Sequence, residues 1–157
     1  MPTPSTPDPA RLRERALALL ARREHSRAEL VRKLAQAGYA RDDIAPLLDE
    51  FEQKHWLSDR RFAESWVADH RARSGSVKLA YDLRQRGVDD TIIEAVLGEH
   101  RDSELERARD VWRKKFGAPP ADAAEKAKQM RFLQSRGFTP AVIRHAMKGG
   151  NDREFSE

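Results

Sequence analysis

The sequence predicts an all-α fold built as three tandem three-helix repeats, helix-turn-helix-like units that together form an elongated curved body. Three observations predict it. One pattern occurs three times: Leu34-Ala-Gln-Ala-Gly38-Tyr39 with Ile44, Leu83-Arg-Gln-Arg-Gly87-Val88 with Ile93, and Leu133-Gln-Ser-Arg-Gly137-Phe138 with Ile143. Its glycines stand 49 and 50 residues apart, a period that belongs to repeat architectures. Each copy has a Leu one helical turn before the Gly, an apolar residue after it and an Ile six positions on, followed by Leu47-Leu48, Val96-Leu97 or Ala146-Met147. A helix ended by a glycine, a tight turn and a second helix produce that spacing. Finally, no run alternates apolar and polar residues as a half-buried strand would. A chain of 157 residues that is 39% hydrophobic and 36% charged is too polar for one large core, yet it can give each helix one buried stripe.

The elements follow in order. Residues 1–10, rich in Pro, Ser and Thr, read as a disordered N-terminal tail with nothing to bury. The first repeat spans 11–57. Its first helix, near Arg11 to Arg23, lines up Leu12, Ala16, Leu19 and Leu20. Ser26-Arg-Ala-Glu29 is a capping box that starts the second helix, and Gly38 supplies its left-handed end. The third helix, roughly Asp42 to His55, carries Ile44, Leu47, Leu48 and Phe51, with Pro46 expected in its first turn.

The second repeat, 58–101, opens at Ser58 or Asp59 and buries Phe62, Trp66 and Val67. Ser74-Gly75-Ser76 breaks the chain before a helix with Leu79 and Leu83, and Asp89 caps the one with Ile92, Ile93, Val96 and Leu97. The third repeat, 102–149, has Leu105, Ala108, Val111 and Trp112, then the loop Gly117-Ala-Pro-Pro120. Asp122-Ala-Ala-Glu125 caps its middle helix, and Thr139-Pro140 opens its last. Gln129 stands where the other copies have Leu30 and Leu79, which leaves Met130 as the expected anchor. Residues from Lys148 onward read as polar, with 150–157 a C-terminal tail.

Bulk chemistry narrows the function. The chain has no cysteine, which excludes a disulfide framework and a thiolate zinc site. The start has no basic segment followed by an apolar one, and no stretch approaches the length of a membrane span, so a cytoplasmic protein without membrane contact is expected. The histidines 25, 55, 70, 100 and 145 form no i, i+4 pair, so no metal is expected. No glycine-rich phosphate loop or nucleophile motif appears; no catalytic residue, cofactor or enzyme activity is expected. Trp56, Trp66 and Trp112 fall on or beside apolar stripes and read as core.

Three stretches carry a resemblance. They are Ala16-Leu-Ala-Leu-Leu-Ala-Arg-Arg-Glu-His-Ser-Arg-Ala-Glu-Leu30 with Lys33-Leu34 and Gly38, then Leu57-Ser-Asp-Arg-Arg-Phe-Ala-Glu-Ser-Trp-Val67, then Lys128 followed by Arg131-Phe132-Leu133-Gln-Ser-Arg-Gly137-Phe138. In this order and spacing the chain resembles the RecX family of bacterial recombination regulators, from Arg11 to Gly149. The resemblance implies a protein that binds RecA, free and as the filament on single-stranded DNA. It also implies restraint of the filament's ATP hydrolysis, strand exchange and co-protease activity in recombination and the SOS response, with the repeat body in the filament groove.

The net charge of +4 permits contact with nucleic acid without establishing it. Basic residues concentrate in 11–33 and 60–86, acidic ones in 42–52 and 89–110, a surface suited to a partner with both signs of charge. The candidate contacts are Arg22, Arg23, Arg27, Arg32 and Lys33 around the first two helices, and Arg60, Arg61, Arg71, Arg73, Lys78, Arg84 and Arg86 in the second repeat. The second group is the first choice, because it is central in the chain. The alternative is a sequence-independent DNA-binding protein that meets single- or double-stranded DNA through these basic patches. Against base readout, the third helix of each repeat begins with Asp42-Asp43, Asp89-Asp90 or Thr139-Pro140, residues that are mostly acidic or capping; the Asp pairs, expected as N-caps, repel phosphate. A monomer is expected.

Overall fold

The computed structural model describes the backbone of residues 8–152 and the side chains of residues 8–148. Among the described residues there are nine α-helices and no strand: α1 (Pro9–Arg22), α2 (Arg27–Gln36), α3 (Arg41–Gln53), α4 (Asp59–His70), α5 (Ser76–Gln85), α6 (Asp90–Gly98), α7 (Arg101–Lys115), α8 (Ala123–Ser135) and α9 (Pro140–Asp152). The expected tails lie partly outside the described residues, at 1–7 and 153–157. Where they are described, both are shorter than expected. Asp8 caps α1 by accepting the Ala10 N–H, with Pro9 in the first turn, so the helix begins two residues before Arg11. At the other end α9 continues past Lys148 to Asp152.

The thrice-repeated pattern is a helix C-cap. Gly38, Gly87 and Gly137 all have positive φ, at 100°, 81° and 89°. In each copy the residue after the glycine donates its N–H to the Leu carbonyl five positions back: Tyr39 to Leu34, Val88 to Leu83, Phe138 to Leu133. The glycine N–H goes to the carbonyl three back, at Ala35, Arg84 and Gln134. These are the paired bonds of a Schellman motif. They explain why the pattern needs a Leu, a glycine and an apolar neighbour: the first and last enclose the turn while the glycine turns it.

Other ends differ from expectation. Ala40, without a side-chain bond, precedes α3, so Asp42 and Asp43 are not N-caps; they lie in its first turn, where carboxylates suit the positive end of the helix dipole. Starting at Arg41 also moves Pro46 out of the first turn into the helix interior. The end of α3 is two residues short of His55, which takes a left-handed φ of 62°. Asp89 and Thr139 do accept from the opening turns of α6 and α9, at Thr91 and Val142.

By its internal contacts the chain gathers into two compact units, residues 1–65 with 83–93, and residues 66–82 with 94–157. In the first, Leu12, Ala16, Leu30, Leu34, Ile44, Leu48, Phe51 and Leu57 form one buried core, covered by Leu19, Leu20, Val31 and Tyr39. In the second, Ala108, Val111, Leu133, Phe138, Ile143 and Ala146 do so, covered by Leu105, Trp112, Met130 and Phe132. The middle repeat buries Phe62, Ala63, Val67, Leu79, Leu83, Val88, Ile93 and Val96, residues shared out between the two units.

Gln129 corrects one expectation. It is fully buried, accepting from Trp112 Nε1 at 2.8 Å and donating to the Ala118 carbonyl at 3.2 Å. The middle helix of the third repeat is therefore held at the very position where Leu is missing, with Met130 only half-buried beside it.

Each unit contains one joint between consecutive repeats, and both are made alike. In the first unit Ser26 Oγ donates to the carbonyl of Arg86 at 2.6 Å, and Gly87 lies against Ala28. In the second unit Gly75 N–H donates to the carbonyl of Arg136 at 2.7 Å, Val77 N–H donates to that of Gly137, and Gly137 lies against Lys78. The acceptor is in both cases the arginine just before the motif glycine. A carboxylate of the following repeat completes each joint: Asp59 accepts the Arg27 N–H and Glu104 the Ser76 N–H. Burial pushes the Asp59 carboxyl above its ordinary range, against the Arg27 N–H, which lowers it. Buried Arg107 adds two donors to the second joint, reaching the carbonyls of Arg71 and Ser74.

Candidate partner-binding surface

Most of the cations proposed from the sequence prove to be internally engaged. Arg23 pairs with the buried Glu29 at 2.7 Å. Arg27 pairs with Asp49 and Glu52; burial alone would lower its pKa, but the two carboxylates carry it above the ordinary value. Arg60 pairs with Glu64, Arg61 with Glu24 and Arg84 with Asp90. Lys33 points Nζ at His25 Nε2, 2.9 Å away, and loss of solvent together with Arg23 lowers its pKa. Arg71 donates to Nδ1 of His100 at 3.2 Å. Arg86 lends its carbonyl to the first joint. Arg27 and Arg84 take their partners from the acidic blocks, whereas Arg23, Arg60 and Arg61 use Glu29, Glu64 and Glu24, acids interspersed among the basic residues.

Arg22 and Arg32 in the first unit and Arg73 and Lys78 in the second are exposed, and among the described residues none of the four makes an ion pair. Arg73 belongs to a site that the sequence reading missed. With Ala72, Val111, Lys114, Lys115, Phe132 and Arg136 it lines a cavity of about 230 Å³ at the C-terminal ends of α7 and α8. Four cations surround this cavity and no carboxylate lines it. Its apolar side is Val111, nearly buried, and half-buried Phe132. Lys115 Nζ and Arg136 Cζ lie 5.5 and 5.2 Å from the Phe132 ring centroid, and Phe116 meets that ring edge-on at 5.5 Å. The available signal was the run Arg113-Lys114-Lys115. Cations in the last turn of a helix also answer the dipole, so that run alone did not single out a site.

Next to the cavity, through Gly137, lies the exposed side of α5. Lys78 abuts Gly137, the residue after Arg136. Val77 and Tyr81, one turn apart, are 56% and 59% exposed, more than the other exposed large apolar side chains described, Leu17 and Trp56, at 37% and 44%. Tyr and Arg are among the residue types enriched at interface hot spots. Trp56 thus departs from the expected core placement; Trp66 and Trp112 are half-buried.

Two further observations bear on function. Among the described residues no group of three or more His, Asp or Glu side chains could hold a metal ion, and no helix is long and apolar enough to cross a membrane. The acidic first turns of α3 and α6 are poorly suited to enter a DNA groove.

The chain matches three family descriptions in succession: "RecX, first three-helix domain" over residues 13–51, the second over 58–97 and the third over 102–147. It is 50% identical over 147 residues to the "Regulatory protein RecX" of Chromobacterium violaceum, covering 93% of this chain and 95% of that one. It is 45% identical over 143 residues to the protein of the same name from Ralstonia nicotianae, covering 91% and 90%. Its fold is similar to the crystal structure of RecX from Lactobacillus salivarius, with a TM-score of 0.81, 21% identity and coverage of 91% and 96%. Three successive domain matches and identity of this extent leave one conclusion: the chain belongs to the RecX family of regulatory proteins.

Proposed function

We propose that this chain is a non-catalytic restraint on RecA. It binds RecA both free and as the filament on single-stranded DNA, in the cytoplasm, and lowers the filament's ATP hydrolysis, strand exchange and co-protease activity during recombination and the SOS response. The observation that carries this reading is kinship along the whole repeat body with relatives named as regulatory proteins. The surface supports it: Arg73, Lys78, Lys114, Lys115 and Arg136, with Val77 and Tyr81, offer cations and apolar anchors to a protein partner. A ligand that binds one state of an assembly more tightly than the others opposes the cycling between them.

The test is DNA-stimulated ATP hydrolysis by the cognate RecA, with this protein titrated well below the concentration of DNA sites. Inhibition at such ratios is expected. Inhibition only once the DNA is saturated would favour the DNA-binding reading, and no inhibition would end the proposal. Charge reversal at Arg73 and Lys78 should weaken inhibition while leaving helicity unchanged.

A further inference from the structure

Resting on the reading above that the partner is a protein, we infer that the cavity at the C-terminal ends of α7 and α8 receives an acidic segment of that partner, with an apolar side chain seated against Val111 and Phe132. The site is assembled from three places in the chain: Ala72 and Arg73 from the connection between α4 and α5, Val111, Lys114 and Lys115 from α7, and Phe132 of α8 with Arg136 at its C-cap. The helix dipoles explain cations on α7 and α8 individually. They do not explain why Arg73 joins them from a connecting segment, or why an apolar floor lies beneath. Several arginines of this chain find carboxylates, as Arg27, Arg60, Arg61 and Arg84 do, while Arg22 and Arg32 stand singly among the described residues. Here, among the described residues, Arg73, Lys114, Lys115 and Arg136 have none. Four like charges around one cavity repel each other, and a ligand bearing carboxylates relieves that repulsion.

Size and ring geometry select the ligand. At about 230 Å³ the cavity is smaller than the roughly 300–1,000 Å³ of small-molecule and cofactor pockets; it fits one or two side chains. A nucleic-acid base would need a free aromatic face on which to stack. The Phe132 ring already has Lys115 and Arg136 over it and Phe116 against it. Cations held beside a ring over an apolar floor suit a carboxylate next to an apolar side chain.

The test uses the full-length protein and a fluorescein-labelled peptide of Asp and Glu residues around one central Phe, read by fluorescence anisotropy. Saturable, salt-sensitive binding is expected, and the double variant Lys114→Glu/Lys115→Glu should weaken it about tenfold or more. Both lysines are exposed, so the variant should fold, which circular dichroism checks. Arg15→Glu, an exposed cation of the first unit, should leave binding unchanged. Equal weakening by Arg15→Glu would reduce the effect to net charge and overturn the inference, as would absence of saturable binding. Tighter capture of labelled oligo-dT, lost in the same double variant, would assign the cavity to nucleic acid instead. If the peptide fails to bind while RecA ATP hydrolysis is still inhibited, this inference falls and the proposed function stands; peptide binding without inhibition has the reverse meaning.

Discussion

Gly87 and Ala28 meet so closely that a Cβ built on the glycine would stand 2.3 Å from the Cβ of Ala28. Gly87 also has a φ of +81°, so an alanine there is strained twice, by conformation and by overlap. Gly87→Ala should cost about 2–4 kcal/mol, from left-handed backbone and overpacking together. Ala28→Gly removes the overlap alone. The double variant should therefore be more stable in urea titrations than the sum of the two single losses; simple additivity would show that the two residues do not press on each other.

His55 is the described non-glycine residue with positive φ. It closes α3 in the same way that the motif glycines close their helices. Trp56 N–H donates to the Phe51 carbonyl at 2.9 Å, and the two rings stand 5.5 Å apart. Glycine relieves the left-handed strain at a smaller cost in unfolded-chain entropy. His55→Gly should raise stability by about 0.5–1 kcal/mol, seen as a higher denaturation midpoint. A lower midpoint would mean that the exposed imidazole holds something the turn needs.

Repeat logic suggests that Gln129→Leu, which restores the residue found at Leu30 and Leu79, should stabilise the third repeat. The hydrogen bonds say otherwise. Leucine leaves Trp112 Nε1 and the Ala118 carbonyl without the partners they now have. A loss of about 1–3 kcal/mol is expected, followed by tryptophan fluorescence in urea. A gain would show that apolar packing outweighs both bonds here.

His25 is 1% exposed. Its Nδ1 donates to the Arg23 carbonyl and its Nε2 accepts from Lys33. Burial first, then the charges of Arg23 and Lys33, hold its pKa below the ordinary 6.5, although the Arg23 carbonyl and Glu29 pull the other way. Above about pH 6.5 the ring is neutral both folded and unfolded, and it adds no pH dependence. As pH falls below that value the unfolded chain binds the proton first, so stability should decline until the folded ring also titrates. Melting temperatures from pH 8 to 5 would follow this. His25→Asn should flatten the slope without abolishing it, because burial and Arg71 also hold His100 low. An unchanged slope would remove His25 from the account.

The helices were legible because their signals are local. Ser26, Asp89 and Asp122 cap where their spacing places them, and the Leu-Gly-apolar pattern fixes three C-caps through bonds spanning five residues. Alanine, whose methyl group can accept no hydrogen bond, precedes α3, and so its boundary was misplaced by one residue and Pro46 moved into the interior. The joints were not legible. Ser26 to Arg86 spans 60 residues and Arg107 to Ser74 spans 33, distances over which periodicity carries no signal. The same limit applied to the candidate surface. Charge blocks pointed to Arg27, Arg60, Arg61 and Arg84, which folding neutralises by bringing carboxylates to them. Arg73 was named from the sequence; Lys114, Lys115 and Arg136 join it only once α7 and α8 are in place.

Because residues 83–93 gather with the first repeat and residues 66–82 with the third, the unit that recurs in the sequence and the unit that coheres are out of phase by half a repeat. A chain cut at residue 57 or 101 would keep the sequence repeats whole and sever the joints, stripping Ser26 of the Arg86 carbonyl or Gly75 of the Arg136 carbonyl. Shuffling repeats among relatives would face the same obstacle: each graft must carry the turn that its predecessor grips.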